Sequence, residues 1–292
     1  MTEILEKRAA LVLEGGAMRG VFTTGVLDAF SERDCFFEKI VSVSAGSLQA
    51  LSYVSRQPGR NRRVNLTYCA DSRYMGLRHW LFDDGYFNFK FIFGELSHKL
   101  DPFDYEAFSE SAQEMSAVVT DLETGAARFI SSHDYDAETY MVACEASATI
   151  PLISKPILFD GRQYVDGGVA LPVAPLPSEL PFPPKKTVYV LTRNRGYRKK
   201  PVGASGRRFT EFCLRKHPKA AELMMTIPER YNARLSELER LEAEGKVFLI
   251  RPEKPVTVTR AEKNAQKLSD FYDEGRQIAG ARFEDMMTWL SK

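Results

Sequence analysis

Two short apolar runs, each closed by a glycine-bearing turn and each followed by helix-like sequence, constrain this chain more than any other feature. The first is Leu11-Val12-Leu13-Glu14-Gly15-Gly16-Ala17-Met18-Arg19-Gly20. The second is Val41-Ser42-Val43-Ser44-Ala45-Gly46, which puts Ser44 24 residues after Gly20. The runs Ala9 to Leu13 and Lys39 to Val43 read as buried strands. Beyond them Val21, Phe22, Val26, Leu27 and Phe30 recur at helical spacing over Gly20 to Ser31. Leu48, Leu51 and Val54 do the same over Ala45 to Ser55, until Gln57-Pro58-Gly59 stops the run. Two strand-turn-helix units in succession imply parallel strands.

The rest of the chain extends this pattern. Ser116 to Asp121 and Ala127 to Ile130 flank Glu123-Thr124-Gly125 and predict an antiparallel hairpin bordering the parallel portion. Thr139 to Thr149 predicts a helix ended by Pro151. Gln163-Tyr164-Val165 is a short strand leading into Asp166-Gly167-Gly168, and Thr187 to Thr192 is the next strand. Arg193 to Lys219 carries ten Lys or Arg residues against one acid, Glu211, and reads as a loop or lid. Ala220 to Glu244 predicts a long charged helix kinked or split by Pro228. Val247 to Ile250 predicts a last strand, and Phe271 to Leu290 a terminal helix. The expected fold class is α/β, a three-layer α/β/α sandwich on a mostly parallel sheet with a helical C-terminal embellishment. Residues 1–195 form the expected core, and 196–292 add a basic segment and helices that complete the same domain.

Composition narrows the function classes. Forty Lys and Arg against 39 Asp and Glu give a net charge of +1, so no global field recruits nucleic acid. Cys35, Cys69, Cys144 and Cys213 are scattered without metal or redox spacing, which suggests reduced thiols. The N-terminus, Met1 to Arg8, is charged where a signal peptide needs an apolar run, and no stretch of ~18 apolar residues occurs. A cytoplasmic protein, open to peripheral membrane contact, is expected.

The turns carry the chemistry. A serine hydroxyl attacks a carbonyl from a sharp strand-to-helix turn, with small residues two before and two after it, here Ser42 and Gly46. Ser42 departs from the usual glycine. The plain alternative is that Ser44 or Ser47 caps the next helix. Gly15 and Gly16 let backbone N–H donors approach an oxyanion, and the helix beginning at Gly20 adds its N-terminal dipole. A dinucleotide or P-loop phosphate motif is excluded by the glycine spacing. Arg19 either orients this loop or is a solvated arginine. Of His79, His98, His133 and His217, only His217 follows Asp166, as the histidine of a Ser-His-Asp order would. Asp166, at a strand end before two glycines, is the better base for Ser44; an ordinary turn aspartate is its bland reading.

Glu14-Gly15-Gly16-Ala17-Met18-Arg19-Gly20, Ser42-Val43-Ser44-Ala45-Gly46 and Asp166-Gly167-Gly168, in this order, resemble the patatin-like phospholipase family. Ala146-Ser147-Ala148-Thr149-Ile150-Pro151 is similar to the family's segment before its aspartate motif. The resemblance spans roughly Ala9 to Thr192 and implies a serine acyl hydrolase. Ser44 would be the nucleophile, Asp166 its partner in a catalytic dyad, and the Gly15, Gly16 and Ala17 amides the oxyanion hole, with no metal or organic cofactor. Arg19, Gly20, Ser42, Gly46, Gly167 and Gly168 would support them. Ala17 stands where the family usually has a third glycine. With Ser42, it keeps open a catalytically silent fold that binds lipid or a protein partner.

Substrate features are less specific. Trp80, Phe82, Tyr86, Phe87, Phe89, Phe91 and Phe93 place seven aromatics within fourteen residues, suited to a cap core or an acyl pocket. The Arg193 to Lys219 segment suits anionic headgroups or simple solvation.

Overall fold

The computed structural model describes residues 9–82 and 84–292. The N-terminal octapeptide, read above against a signal peptide, lies outside the described residues. Strands β1 (Ala9–Leu13), β2 (Lys39–Val43), β3 (Glu114–Asp121), β4 (Ala127–Ser131), β5 (Ile157–Phe159), β6 (Arg162–Asp166), β7 (Lys186–Val190) and β8 (Val247–Ile250) form one eight-stranded sheet. Its parallel portion runs β3-β2-β1-β7-β8, and β4, β5 and β6 add antiparallel pairings.

The principal helices are α1 (Gly20–Ser31), α2 (Ala45–Val54), α3 (Ala137–Ala148), α4 (Ala204–Cys213), α5 (Pro218–Met225), α6 (Ile227–Ala243), α7 (Ala265–Ala281) and α8 (Phe283–Ser291). The sheet's two faces support two cores. Leu11, Leu13, Ile40, Met115 and Val188 pack against α1, α2, α3, α7 and α8. Val12, Val41, Val118 and Tyr189, one residue out of step, pack against Tyr231, Leu235 and Leu238 of α6. Strict alternation within strands that are buried throughout is what a sheet covered on both faces requires, so three layers follow.

Two expectations change, for the terminal helix and the basic segment, while the expected split of the long helix at Pro228 is present. The predicted terminal helix is two, α7 and α8, separated at Arg282. The long helix is split into α5 and α6 at Thr226, with Pro228 in the first turn of α6, where its missing N–H costs nothing. The basic segment holds α4 and the start of α5 and is not a plain loop. The C-terminal part contributes to the sheet as well as to the helical layers, as the late strand suggested. Its β8 pairs with β7 in the sheet, and α7 lies along α1, where the Tyr272 hydroxyl donates to Asp28 at 2.8 Å.

The register of β3 positions the site. Val118 pairs with Val43 of β2, and the next residue, Val119, pairs with Asp166 of β6. Because β4 overlaps both stretches, it takes the opposite edge of β3, and β2 and β6 share one edge end to end. The residue after Val43 is Ser44, so the end of β2 meets the end of β6 at these two side chains.

Candidate active site

The C-terminal ends of β1, β2 and β7 converge on one cavity of about 120 Å³, lined by Gly15, Gly16, Ala17, Ser44 and Asp166 among others. A crevice at the carboxyl ends of parallel strands, where neighbouring chains diverge, is the usual ligand position in an open α/β sheet. Ser44 occupies φ 54°, ψ −126°, between β2 and α2. A side chain held there costs of order 1–3 kcal/mol, and the surrounding contacts hold it. The Ser44 N–H donates to Ser147 Oγ at 2.9 Å, and Ser147 Oγ in turn donates to the Val118 carbonyl at 2.6 Å. Ser47 Oγ lies 3.1 Å from Ser147 Oγ and 3.0 Å from Ser42 Oγ. Ser42 is therefore one member of a buried serine chain beneath the turn, a role its small size alone does not convey.

Asp166 is buried and lines this cavity together with Ser44, and its carboxylate accepts the Gly168 N–H at 2.7 Å. Its backbone is tied on both sides, through its N–H to the Thr149 carbonyl and through its carbonyl to the Thr120 hydroxyl, each 2.8 Å. Burial raises its pKa above the ordinary aspartate value; the nearby Ser44 hydroxyl, the Gly168 N–H, and the charges of Arg260 and Lys199 pull it partway back.

The glycine loop lies across from this pair. A Cβ on Gly15 would stand 2.7 Å from Ser44 Cβ, so only glycine lets the loop pass this close. Among the described residues no carbonyl accepts the N–H groups of Gly15, Gly16 or Ala17. Ala17 has φ 51°, the left-handed region, which a Cβ tolerates at a cost. Glu14 anchors the loop: its carboxylate accepts the Thr192 N–H at 2.6 Å and the Tyr231 hydroxyl at 2.9 Å.

Arg19 is buried, which rules out the solvated reading, and its Nε has no hydrogen-bond partner among the described residues. Gly20 packs against Ala45 and Gln49, Gly46 against the Leu13 carbonyl, and Gly167 against Val118, so each small residue marks a close approach of elements around the site. No histidine lines the cavity. His217 caps α5 instead, its N–H on the Leu214 carbonyl, so a Ser-His-Asp arrangement through it does not form. Among the described residues no cluster of His, Cys, Asp and Glu suits a metal ion.

Of the remaining lining residues, Arg193 and Lys199 belong to the basic segment singled out in the sequence, whereas Tyr231 and Arg260 carried no sequence signal. Arg193, Lys199, Tyr231 and Arg260 come from beyond β7 and line the same cavity. A second, mostly apolar cavity of about 30 Å³ shares Ala17, Ser44 and Ile150 with the first and is lined further by Leu48, Tyr74, Phe87, Phe89 and Ile92. The aromatic segment is thus divided. Phe87 and Phe89 face this cavity, Phe91 is buried in the core, and Trp80 and Phe82 are exposed.

A patatin-like phospholipase family profile matches residues 11–177, and a domain of unknown function (DUF6363) matches residues 217–291. The uncharacterized protein YjjU of Escherichia coli strain K12 is 27% identical over 180 residues, 57% of this chain and 47% of that one. The chain therefore aligns with about half the length of this curated relative. The crystal structure of VipD from Legionella pneumophila aligns over 94% of this chain and 67% of its own, with a TM-score of 0.46 at 13% identity. The profile covers more than half of the chain and every motif around Ser44 and Asp166, and this protein belongs to the patatin-like phospholipase family.

Proposed function

We propose that this protein is a serine acyl hydrolase that cleaves carboxylic esters of lipid type with a Ser44–Asp166 dyad. The observation that carries the reading is the meeting in one cavity of Ser44, at a positive-φ turn, with the buried carboxylate of Asp166 and with the N–H groups of Gly15, Gly16 and Ala17, which have no carbonyl acceptors among the described residues. Ser44 Oγ attacks the ester carbonyl carbon while its proton passes to Asp166. The amides of Gly15, Gly16 and Ala17 hold the oxyanion, a task worth about 3–4 kcal/mol for a single well-placed donor. Collapse of the intermediate breaks the ester C–O bond, and the leaving alkoxide takes the proton from Asp166. Water then attacks the acyl-serine with Asp166 as base, Ser44 recovers its proton, and the carboxylic acid leaves. The raised Asp166 pKa brings the base closer to the serine hydroxyl it must deprotonate.

Two exposed patches support contact with a lipid surface. Helix α4 exposes Phe209 and Phe212 among Arg207, Arg208 and Arg215, the composition of an interfacial basic helix. The short helix Leu77–Phe82 exposes Leu77, Leu81 and Phe82. No helix among the described residues is long and apolar enough to cross a membrane. Sedimentation with vesicles that requires anionic lipid and weakens with salt would agree with this contact; indifference to both would remove it.

The decisive experiment is hydrolysis of p-nitrophenyl butyrate by wild type and Ser44→Ala, with fluorophosphonate labelling of both. Activity and label that vanish together with Ser44 are expected. Absence of both in the wild type would sink the hydrolase and leave a silent fold.

A further inference from the structure

The cavity over Ser44 has an electrostatic imbalance that acyl transfer does not use. Four cationic side chains line it, Arg19, Arg193, Lys199 and Arg260, against two carboxylates, Glu14 and Asp166. Both carboxylates are already engaged: Glu14 with Thr192 and Tyr231, Asp166 with Gly168. None of the four cations forms a salt bridge with a carboxylate among the described residues, although exposed arginines elsewhere, such as Arg240 and Arg276, do. Arg19 is 6% exposed, yet its Nε has no hydrogen-bond partner, and Arg193 Nε shares that condition. An arginine nitrogen withdrawn from water and left unpaired costs free energy that an incoming anion would recover.

The four groups also repel one another. Burial, and then the charges of Arg193 and Arg260, push the Arg19 pKa down to about 10. Burial and the charge of Arg260 push Lys199 down to about 8. Two of the cations are held in place by aromatic faces: Arg193 lies 4.3 Å from the Tyr197 ring centroid and Lys199 4.0 Å from that of Tyr231.

We propose that Arg19, Arg193, Lys199 and Arg260 form a receptor for a phosphate monoester dianion carried on the alcohol side of the ester cleaved at Ser44. The inference rests on the acyl hydrolase reading and names its substrate class. The side follows from the second cavity. Ala17, Ser44 and Ile150 line both spaces, so the apolar one lined by Phe87 and Phe89 suits the acyl group, and the cationic one receives what leaves. The charge follows from the balance, because four cations against two carboxylates leave a deficit that a dianion fills. A zwitterionic head fits poorly. Its ammonium would find Tyr197 and Tyr231 already covered by Arg193 and Lys199, and both carboxylates already engaged.

The test is a matched pair of substrates, 1-butyryl-glycerol and 1-butyryl-glycerol 3-phosphate, which differ only in the phosphate. In the full-length wild type, kcat/KM should favour the phosphorylated ester by more than tenfold. Lys199→Gln and Arg260→Gln should each lower that ratio about tenfold. A wild-type ratio near one, or a ratio unmoved in both variants, overturns the proposal. Inorganic phosphate separates the two sources of the anion. Competition with the phosphorylated ester is expected, and phosphate that binds without competing would make the cluster an independent anion site and overturn the substrate assignment. If neither ester is cleaved and fluorophosphonate leaves Ser44 unlabelled, the hydrolase reading has failed. Calorimetric titration of inorganic phosphate into Ser44→Ala still tests the receptor: heat that Lys199→Gln abolishes supports it, and no heat refutes it.

Discussion

Ser147 Oγ accepts the backbone N–H of Ser44 at 2.9 Å, so the turn that presents the Ser44 hydroxyl is pinned from beneath by a side chain on α3. Ser147→Ala leaves that buried N–H unpaired, at a cost of about 1–3 kcal/mol, and frees Ser44 to leave its positive-φ geometry. The loss should fall on kcat, by about ten- to a hundredfold, with KM for a small ester nearly constant. Steady-state kinetics on p-nitrophenyl butyrate makes the check. A change confined to KM, or to thermal stability alone, would mean that Ser147 supports the fold and not the attacking geometry.

Ala17 offers a different readout, because its φ of 51° places a Cβ in the left-handed region. An L-residue there costs roughly 1–2 kcal/mol, while glycine loses somewhat more backbone entropy on folding. Ala17→Gly should therefore raise stability slightly, by up to about 1 kcal/mol, with esterase activity retained because the N–H remains. Urea denaturation and ester hydrolysis measured side by side decide this. A clear destabilisation would show that the Ala17 methyl packs usefully against the cavity wall.

The pH profile follows from Asp166. Burial raises its pKa, and in the proposed role of base it works only when ionised, so kcat/KM on a neutral ester should fall on the acid side through a pKa above the ordinary aspartate value of 3.8. The positive charge of Lys199 favours the carboxylate. Removing it in Lys199→Gln should make Asp166 easier to protonate and move the acid limb to higher pH. On the alkaline side Lys199 itself loses its charge through a pKa of about 8, and anionic esters should bind less well above it. An acid limb that stays in place or moves to lower pH in Lys199→Gln would refute the electrostatic link.

What the sequence makes legible divides along lines of range. Strands β1, β2 and β8 and helix α1 coincide with the apolar runs because period and turn residues are local signals. The break at Arg282 is not visible, since Phe271, Ile278, Phe283, Met286 and Leu290 keep helical spacing across it without glycine or proline at the break. Ser44 and Asp166 are legible because each sits at a strand end with its own glycines. Tyr231 and Arg260 are not, because isolated residues of ordinary type reach the cavity only through the packing of the chain beyond β7, and Lys199 is legible only as one member of a basic run. Ser42 looked like a lost glycine, and its hydroxyl pairing with Ser47 depends on a contact that no spacing reveals.

Helices α1 and α7 cross at two glycines. A Cβ on Gly25 would collide with the Tyr272 carbonyl, and one on Gly275 with the Phe22 carbonyl, so the backbones touch reciprocally. Phe22 and Phe271 extend the contact at a ring-centroid separation of 5.3 Å, and Arg276 pairs with Glu32. On this packing we propose that residues 196–292 complete the folding unit begun by 1–195. Gly275→Ala should then part the two helices and destabilise the whole protein, by about 1–3 kcal/mol for an overpacked site. The helical signal and the esterase activity should be lost together in one denaturant transition, at a lower midpoint than in the wild type. If Gly275→Ala instead releases a separate early transition while activity survives it, the C-terminal part folds on its own and only docks against α1.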